Sequence, residues 1–384
     1  MRGREVMRKN YLDNIRWFTV VLVVIYHVFY MYNAEGIVGV VGKITNLDVQ
    51  YYDVFQYVVF PWFMVILFMV SGISSKLYLD NHTNKEFIKS RTRKLLVPVT
   101  IGLFAFQFIQ GYVNVSISGV IQSDEMPMIG KVIATILSGI GVLWYMQLLW
   151  LFSLFLVLIR KIEKGKLLKL GGKANFTILI LFVVPAFLTA QILNTPVIVV
   201  YRFGYYFFAF LLGYYVLSHD EVIEVLKKWS LILLAVSVVL GIMFCINYFG
   251  DNYADKPVNR SVLFVTYGYF MCLAVIGCFA RYFDFANAFT KWMSLRSFGL
   301  YVFHYLGVSS VGLYLAKPGI ISAPVAYILS LVAGFAGAYI LYEIISRIPV
   351  YRWAVLGIKK EIFFEKNGGS FMSNSKKNMV TEKA

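Results

Sequence analysis

Ten apolar stretches run through this chain: Ile15–Asn33, Val54–Leu79, Leu95–Val113, Ile133–Ile159, Phe176–Leu193, Val197–Leu217, Trp229–Phe249, Ser261–Ala280, Ser297–Ala316 and Ala323–Ile345. Each is close to the roughly 17–25 residues that a helix needs to cross a bilayer. Inside hydrocarbon every backbone N–H and C=O must be paired within its own segment, so stretches of this length fold as helices. They predict an all-α, polytopic transmembrane helix bundle of about ten spans. Composition agrees, with 59% hydrophobic and 15% charged residues, against about 45–50% and about 25% in soluble domains. No Pro-, Gly- or Ser-rich linker and no repeat period divides the chain. Residues 1–357 are therefore expected to form one transmembrane domain, and residues 358–384 a polar cytoplasmic tail without fixed structure.

The net charge of +16 could suggest nucleic acid, but its distribution argues against that. With both termini placed in the cytoplasm, 29 of the 36 Lys and Arg residues fall in cytoplasmic segments and 5 on the outer side. That bias is the positive-inside signature of an even number of spans. The basic excess is topology, the implied partner is the lipid bilayer of the cell membrane, and no nucleic acid is expected. The first span is preceded by basic residues like a signal peptide, but Ile25–Tyr30 is too bulky for a cleavage site and the span is expected to be retained. Cys245, Cys272 and Cys278 all fall in spans without a Cys-x-x-Cys pair, which supports neither a disulfide framework nor a metal site.

Ionisable residues inside a bilayer are expensive and are usually kept for function. His27 lies in the middle of the first span, eleven residues after Arg16. Eleven residues come to about 1100°, roughly 20° past three turns, so both lie on one helix face about 16 Å apart. Asp13 precedes Arg16 by three residues, a spacing that lets the two side chains meet. His304, about seven residues inside the ninth span, is a second candidate, whereas His82 and His219 sit in short polar loops as solvated side chains. Four cations occur in the six residues Lys89–Lys94 at a cytoplasmic helix entrance. They are first a topogenic signal and alternatively a phosphate pocket, since Arg and Lys both suit phosphate. Arg202 and Glu343 are two further charges in spans. Their simplest reading is a structural ion pair, with an anionic ligand as the alternative for Arg202. No Gly-x-Ser-x-Gly elbow, Walker loop or dinucleotide fingerprint is present.

Several segments, in order, resemble the acyltransferase-3 family of integral membrane acyltransferases. Tyr11–Arg16 followed by Ile25–His27 matches its Arg-x10-His arrangement. Pro61–Phe63 with Phe68–Gly72 is similar to its Phe-rich, Ser-Gly-ending second helix. Phe87–Pro98 is similar to its Arg-x-x-Arg-Leu-Leu-x-Pro, with Lys94 where the second arginine is usual and Arg93 adjacent. The positive charge is kept there, while the planar bidentate guanidinium is not. Leu143–Tyr145 and Ser297–His304 resemble it too, and Leu143–Tyr145 with Phe207–Tyr215 leans toward the branch that includes glucans biosynthesis protein C. The resemblance covers about residues 10–357.

The resemblance implies transfer of an acyl group, often acetyl or succinyl, from cytoplasmic acyl-coenzyme A. The acceptor would be a hydroxyl of an extracytoplasmic glycan or lipid-linked sugar. His27 is then the general base or acyl relay, Arg16 holds the donor or orients His27, and Asp13 fixes Arg16. Arg91, Arg93 and Lys94 meet the coenzyme A phosphates, with Trp144, Tyr145, His304, Arg202 and Glu343 as further candidates. Acyl-coenzyme A is a co-substrate, no bound cofactor or metal is expected, and a separate extracytoplasmic transferase could complete the reaction. Two readings from other classes stay open: a proton-coupled transporter or flippase of a glycan or lipid precursor, and a non-catalytic envelope assembly scaffold. The lack of half-to-half similarity weighs against the first, and the in-register Arg16 and His27 against the second.

Overall fold

The computed structural model describes residues 9–37, 39–194 and 202–359. Among them the regular structure is helical, apart from one isolated antiparallel bridge between Asn194 and Arg202. The main helical segments in chain order are α1 Asn10–Met31, α2 Tyr51–Leu79, α3 Asn84–Ile117, α4 Met128–Ser138, α5 Gly141–Glu163 and α6 Phe176–Ala190. They continue as α7 Phe203–Tyr215, α8 Asp220–Tyr248, α9 Val262–Tyr282, α10 Ala288–Ala316 and α11 Ala323–Ile345, and α12 Pro349–Leu356. Eight of them are long and apolar enough to cross a membrane: α1, α2, α3, α5, α8, α9, α10 and α11. A polytopic helical bundle is the architecture the apolar stretches predicted.

Three expectations differ in detail. The fifth and sixth apolar stretches form the short helices α6 and α7. α6 is interrupted at Phe182, where Pro185 supplies no N–H for the carbonyl of Leu181. α7 has 13 residues, about 20 Å of helix against a hydrocarbon core of about 30 Å. Residues 195–201 between them lie outside the described residues, as do 1–8 and 360–384, on which the expected tail falls. The stretch Ile133–Ile159 is not one span: it breaks between α4 and α5. There Gly141 takes φ +37°, and a Cβ on Gly139 would collide with the backbone of Gln107 in α3. Finally, the basic run at Lys89–Lys94, expected at the entrance of a helix starting at Leu95, lies inside α3, which starts eleven residues earlier at Asn84. Thr83 and Glu86 close a reciprocal capping box at that start. Downstream, Thr92–Leu96 widens into a π turn in which Val97 N–H reaches Thr92 O. The cause is Pro98, which cannot donate to the carbonyl of Lys94.

The core is built around α1 and α2. α1 packs against α2, α9, α10 and α11, and the apolar window of α2 is 89% buried. α2 and α7 approach backbone to backbone because each presents a glycine at the crossing. A Cβ on Gly72 would overlap the carbonyl oxygen of Phe210, and one on Gly213 that of Met69. Small residues serve this purpose in membrane helix pairs, where packing replaces a hydrophobic driving force. Gly213→Leu is therefore expected to destabilise the bundle by at least the 1–3 kcal/mol, roughly, of an overpacked core. Size-exclusion chromatography of the detergent-extracted variant checks it. A monodisperse peak at the wild-type yield and melting temperature contradicts the close-packing account.

Candidate active site

α1 carries the first two site residues, and its amino-terminal end is pinned in place. Asn14 Nδ2 donates to the carbonyls of Phe283 (2.6 Å) and Phe285 (3.0 Å), and Asp284 accepts from Tyr11 N–H at 2.9 Å. These bonds tie α1 to the turn between α9 and α10, so the helix cannot rotate freely about its axis. On that fixed helix Arg16 Nη1 meets Asp13 Oδ1 at 2.7 Å, as the i, i+3 spacing predicted. Its Nη2 donates to Ser74 Oγ of α2.

Ser74 belongs to one turn of α2 that collects side chains from three neighbours. Arg91 of α3 donates Nη2–H to Ser75 Oγ at 3.0 Å. Tyr145 of α5 pairs with Ser71 Oγ at 2.7 Å and with the Leu67 carbonyl at 3.1 Å. Ser74 and Ser75 give their own protons to the carbonyls of Val70 and Ser71, both at 2.7 Å, so their oxygens are free to accept from the guanidiniums. Two arginines from different helices thus end on adjacent serines. Arg16 has Asp13 as a counter-charge, while Arg91 has no ion-pair partner among the described residues. Concentrated positive charge with unspent N–H donors is an anion-binding arrangement. Ser74 and Ser75 were missed from the sequence, where Ser71 stood only as part of the Ser-Gly ending of the second helix, although polar residues at i, i+3 and i+4 on an otherwise apolar helix were a legible signal.

The remaining candidates separate. Arg93 and Lys94 lie in the π turn of α3, covered by the chain leaving α12, where a Cβ on Gly357 would press on the Arg93 carbonyl and Lys94 Cα. Trp144 stacks on Tyr206 at 5.5 Å. Glu343 bridges Arg296 and Arg347, both at 3.0 Å, and so ties α10 to α11. Arg202 is 1% exposed and gives two bonds to the Tyr206 hydroxyl, at 3.1 and 2.7 Å. Its guanidinium lies against the rings of Phe60, Phe264 and Tyr206 at about 5 Å, a cation–π enclosure rather than an ion pair. Among the described residues no group of three or more His, Cys, Asp or Glu side chains could hold a metal.

The second centre is a histidine pair. His27 of α1 and His304 of α10 come from residues 277 apart in sequence, and His304 Nε2 lies 3.2 Å from His27 Nδ1. His304 is fully buried and His27 half-buried. Tyr305, Tyr30 and Tyr26 surround the His27 ring at 5.0–5.7 Å. Arg16 and His27, on one face of α1, are about 16 Å apart along the axis. The helix therefore links the paired arginines to the paired imidazoles.

Beyond His27 an acidic pair forms between Glu35, in the loop after α1, and Asp53, in the first turn of α2. Asp53 is buried and accepts from Ala34 N–H at 3.1 Å and Gln50 Nε2 at 2.8 Å. Glu35 faces the Tyr57 hydroxyl at 3.4 Å. Burial first, and then the charge of Asp53, pushes the Glu35 carboxyl up from its ordinary 4.5 to about 7. The fold thus prefers protonated Glu35, and its stabilising contribution is complete below pH 4.5 and lost as pH rises through about 7. The melting temperature of Glu35→Gln relative to wild type should therefore climb as pH is raised from about 5 to about 8. A constant difference across that range contradicts the assignment.

A family model described as an acyltransferase domain matches residues 9–343. The search of curated proteins and the search of solved structures found no match.

Proposed function

Because the chain belongs to the acyltransferase-3 family and is a multi-pass membrane acyltransferase, we propose that its site lies inside the bundle and that it carries out the following reaction. It moves an acyl group, acetyl or succinyl, from cytoplasmic acyl-coenzyme A to a hydroxyl of an extracytoplasmic glycan or lipid-linked saccharide at the plasma membrane. The observation that carries this reading is the arrangement along α1. Arg16 and Arg91 meet on one serine-bearing turn, and a histidine lies on the same face about 16 Å further on. An anionic donor held at one end and a base at the other need a long flexible arm between them, and pantetheine is such an arm.

In this reading Arg16 and Arg91 hold the phosphates of coenzyme A and Asp13 keeps Arg16 in place, while Arg93 and Lys94, under the chain leaving α12, only add positive charge nearby. The acceptor hydroxyl approaches His27 from the opposite side. His27 takes its proton as the oxygen attacks the thioester carbonyl; the new C–O bond forms and the C–S bond breaks. The imidazolium then returns the proton to the leaving thiolate, and neutral His27 is restored. A base positioned in this way is worth about 10²–10⁴ in rate.

The test is mass spectrometry of envelope glycans and lipid-linked sugars from wild-type, deletion and complemented strains. Loss of one defined acyl increment in the deletion, restored on complementation, names the acyl group and the acceptor. Identical profiles in all three strains overturn the proposal, and counterflow of a glycan precursor without acyl donor would identify a carrier instead.

A further inference from the structure

The hydrogen bonds of the two imidazoles determine where their protons sit. A carbonyl oxygen can only accept, so a ring nitrogen bonded to one carries the hydrogen. His304 Nδ1 lies 3.1 Å from the Leu300 carbonyl and 2.9 Å from that of Tyr301. His304 is therefore protonated at Nδ1, and its Nε2 is a bare lone pair. That lone pair faces His27 Nδ1 at 3.2 Å, and the same His27 nitrogen lies 2.8 Å from the Val23 carbonyl. Both partners of His27 Nδ1 are acceptors, so His27 also carries its hydrogen there, shared between them. The consequence falls on the other ring nitrogen. His27 Nε2 is left with a lone pair and has no hydrogen-bond partner among the described residues.

We propose that His304 is a positioning residue: through Nε2 it accepts from His27 Nδ1–H, fixing the tautomer in which His27 Nε2 is the basic atom. The inference rests on the reading of His27 as the base and adds which nitrogen acts and what keeps it available. The alternative His27 tautomer would set the single lone pair of His27 Nδ1 against both the lone pair of His304 Nε2 and the Val23 carbonyl oxygen. When Nε2 takes the acceptor proton, Nδ1–H becomes a charged donor, and charge-assisted bonds are stronger than neutral ones. The two acceptors then hold the imidazolium more firmly than they held the neutral ring. Partners that orient a metal-bound histidine are commonly worth about 10–100-fold in activity, and an effect of the same order is expected for His304.

The experiment combines a structural readout with a conservative rescue. The chain has four histidines, so ring ¹⁵N resonances of uniformly histidine-labelled protein in lipid bilayers are few, and the His27 pair is assigned by its loss in His27→Gln. Wild type is expected to show a protonated Nδ1 and a bare Nε2 at His27. His304→Asn places its amide near the old Nδ1 and leaves the Nε2 position empty, whereas His304→Gln puts a side-chain oxygen near it. Asn is expected to mix the His27 tautomers and to lower kcat by about 10–100-fold with an unchanged donor KM. Gln is expected to keep the wild-type tautomer and most of kcat. A bare Nδ1 at His27 in wild type overturns the inference without any variant, should Asn fail to fold. Equal loss in Gln and Asn, or no loss in either, overturns it as well. If His27→Gln leaves transfer intact, the base reading itself fails, which the tautomer measurement distinguishes from failure of this inference.

Discussion

His27→Ala is expected to lower the acyl-transfer rate by about 10²–10⁴ while leaving folded protein in the membrane. The size follows from the chemistry. A sugar hydroxyl is a poor nucleophile until its proton is removed, and the described residues offer no second unpaired base at that depth of α1. His304 stands beside it, but its Nδ1 is spent on two carbonyls of its own helix and its Nε2 points at His27. Survival of the fold follows from the structure. The closest bond of His27 is to Val23 of the same helix, at 2.8 Å, and the ring is half-buried rather than wedged into the core. Truncation removes one interhelical hydrogen bond, and such bonds in bilayers are worth only about 0.6 kcal/mol on average. Initial rates of thiol release from acyl-coenzyme A in proteoliposomes, beside a chromatographic check of folding, decide the matter. Transfer within a factor of about three of wild type removes His27 from the mechanism.

The fold was largely legible because hydropathy in a bilayer is a one-dimensional problem. Each span must satisfy its own backbone, so α9 could be read to within two residues at each end, whereas α1 and α8 start earlier than their apolar stretches, at Asn10 and Asp220, on polar residues that hydropathy does not count. The misreadings fall where tertiary contact overrides hydropathy. The break at Gly139 and Gly141 exists because α4 packs down on the backbone of Gln107, and nothing in a run of apolar residues announces it. The site was legible in part. Arg16, Asp13 and His27 share one helix, so periodicity alone placed them on one face. The pairing of His27 with His304 joins α1 to α10, and no local pattern can reveal a contact between helices so far apart in the chain. The opposite holds for Glu343, whose neighbour Arg347 at i+4 already indicated the ion pair that the structure contains.

The second large effect concerns the donor. Arg16→Gln and Arg91→Gln are each expected to raise the KM for acyl-coenzyme A by about 10–100-fold with little change in kcat, since a hydrogen bond to a charged group is worth about 1.5–3 kcal/mol. KM reports binding here as long as transfer is slow relative to donor release. The competing account makes these arginines topological signals only, and the charge distribution separates the two. On the ten-span reading with both termini cytoplasmic, 29 basic residues fall in cytoplasmic segments against 5 outside, so neutralising one should leave the positive-inside bias and the orientation intact. A rise in KM at unchanged kcat and expression is therefore attributable to the donor. The double variant sharpens the argument. Both guanidiniums end on adjacent serines of one turn, so if they grip the same phosphate their effects should fall short of additive; residues with no shared partner add within about 0.3–0.5 kcal/mol. Arg91→Lys keeps the charge but loses the planar fork, and should fall between wild type and Arg91→Gln. An unchanged donor KM in all three single variants returns both arginines to topology, and leaves His27 in need of a different donor site.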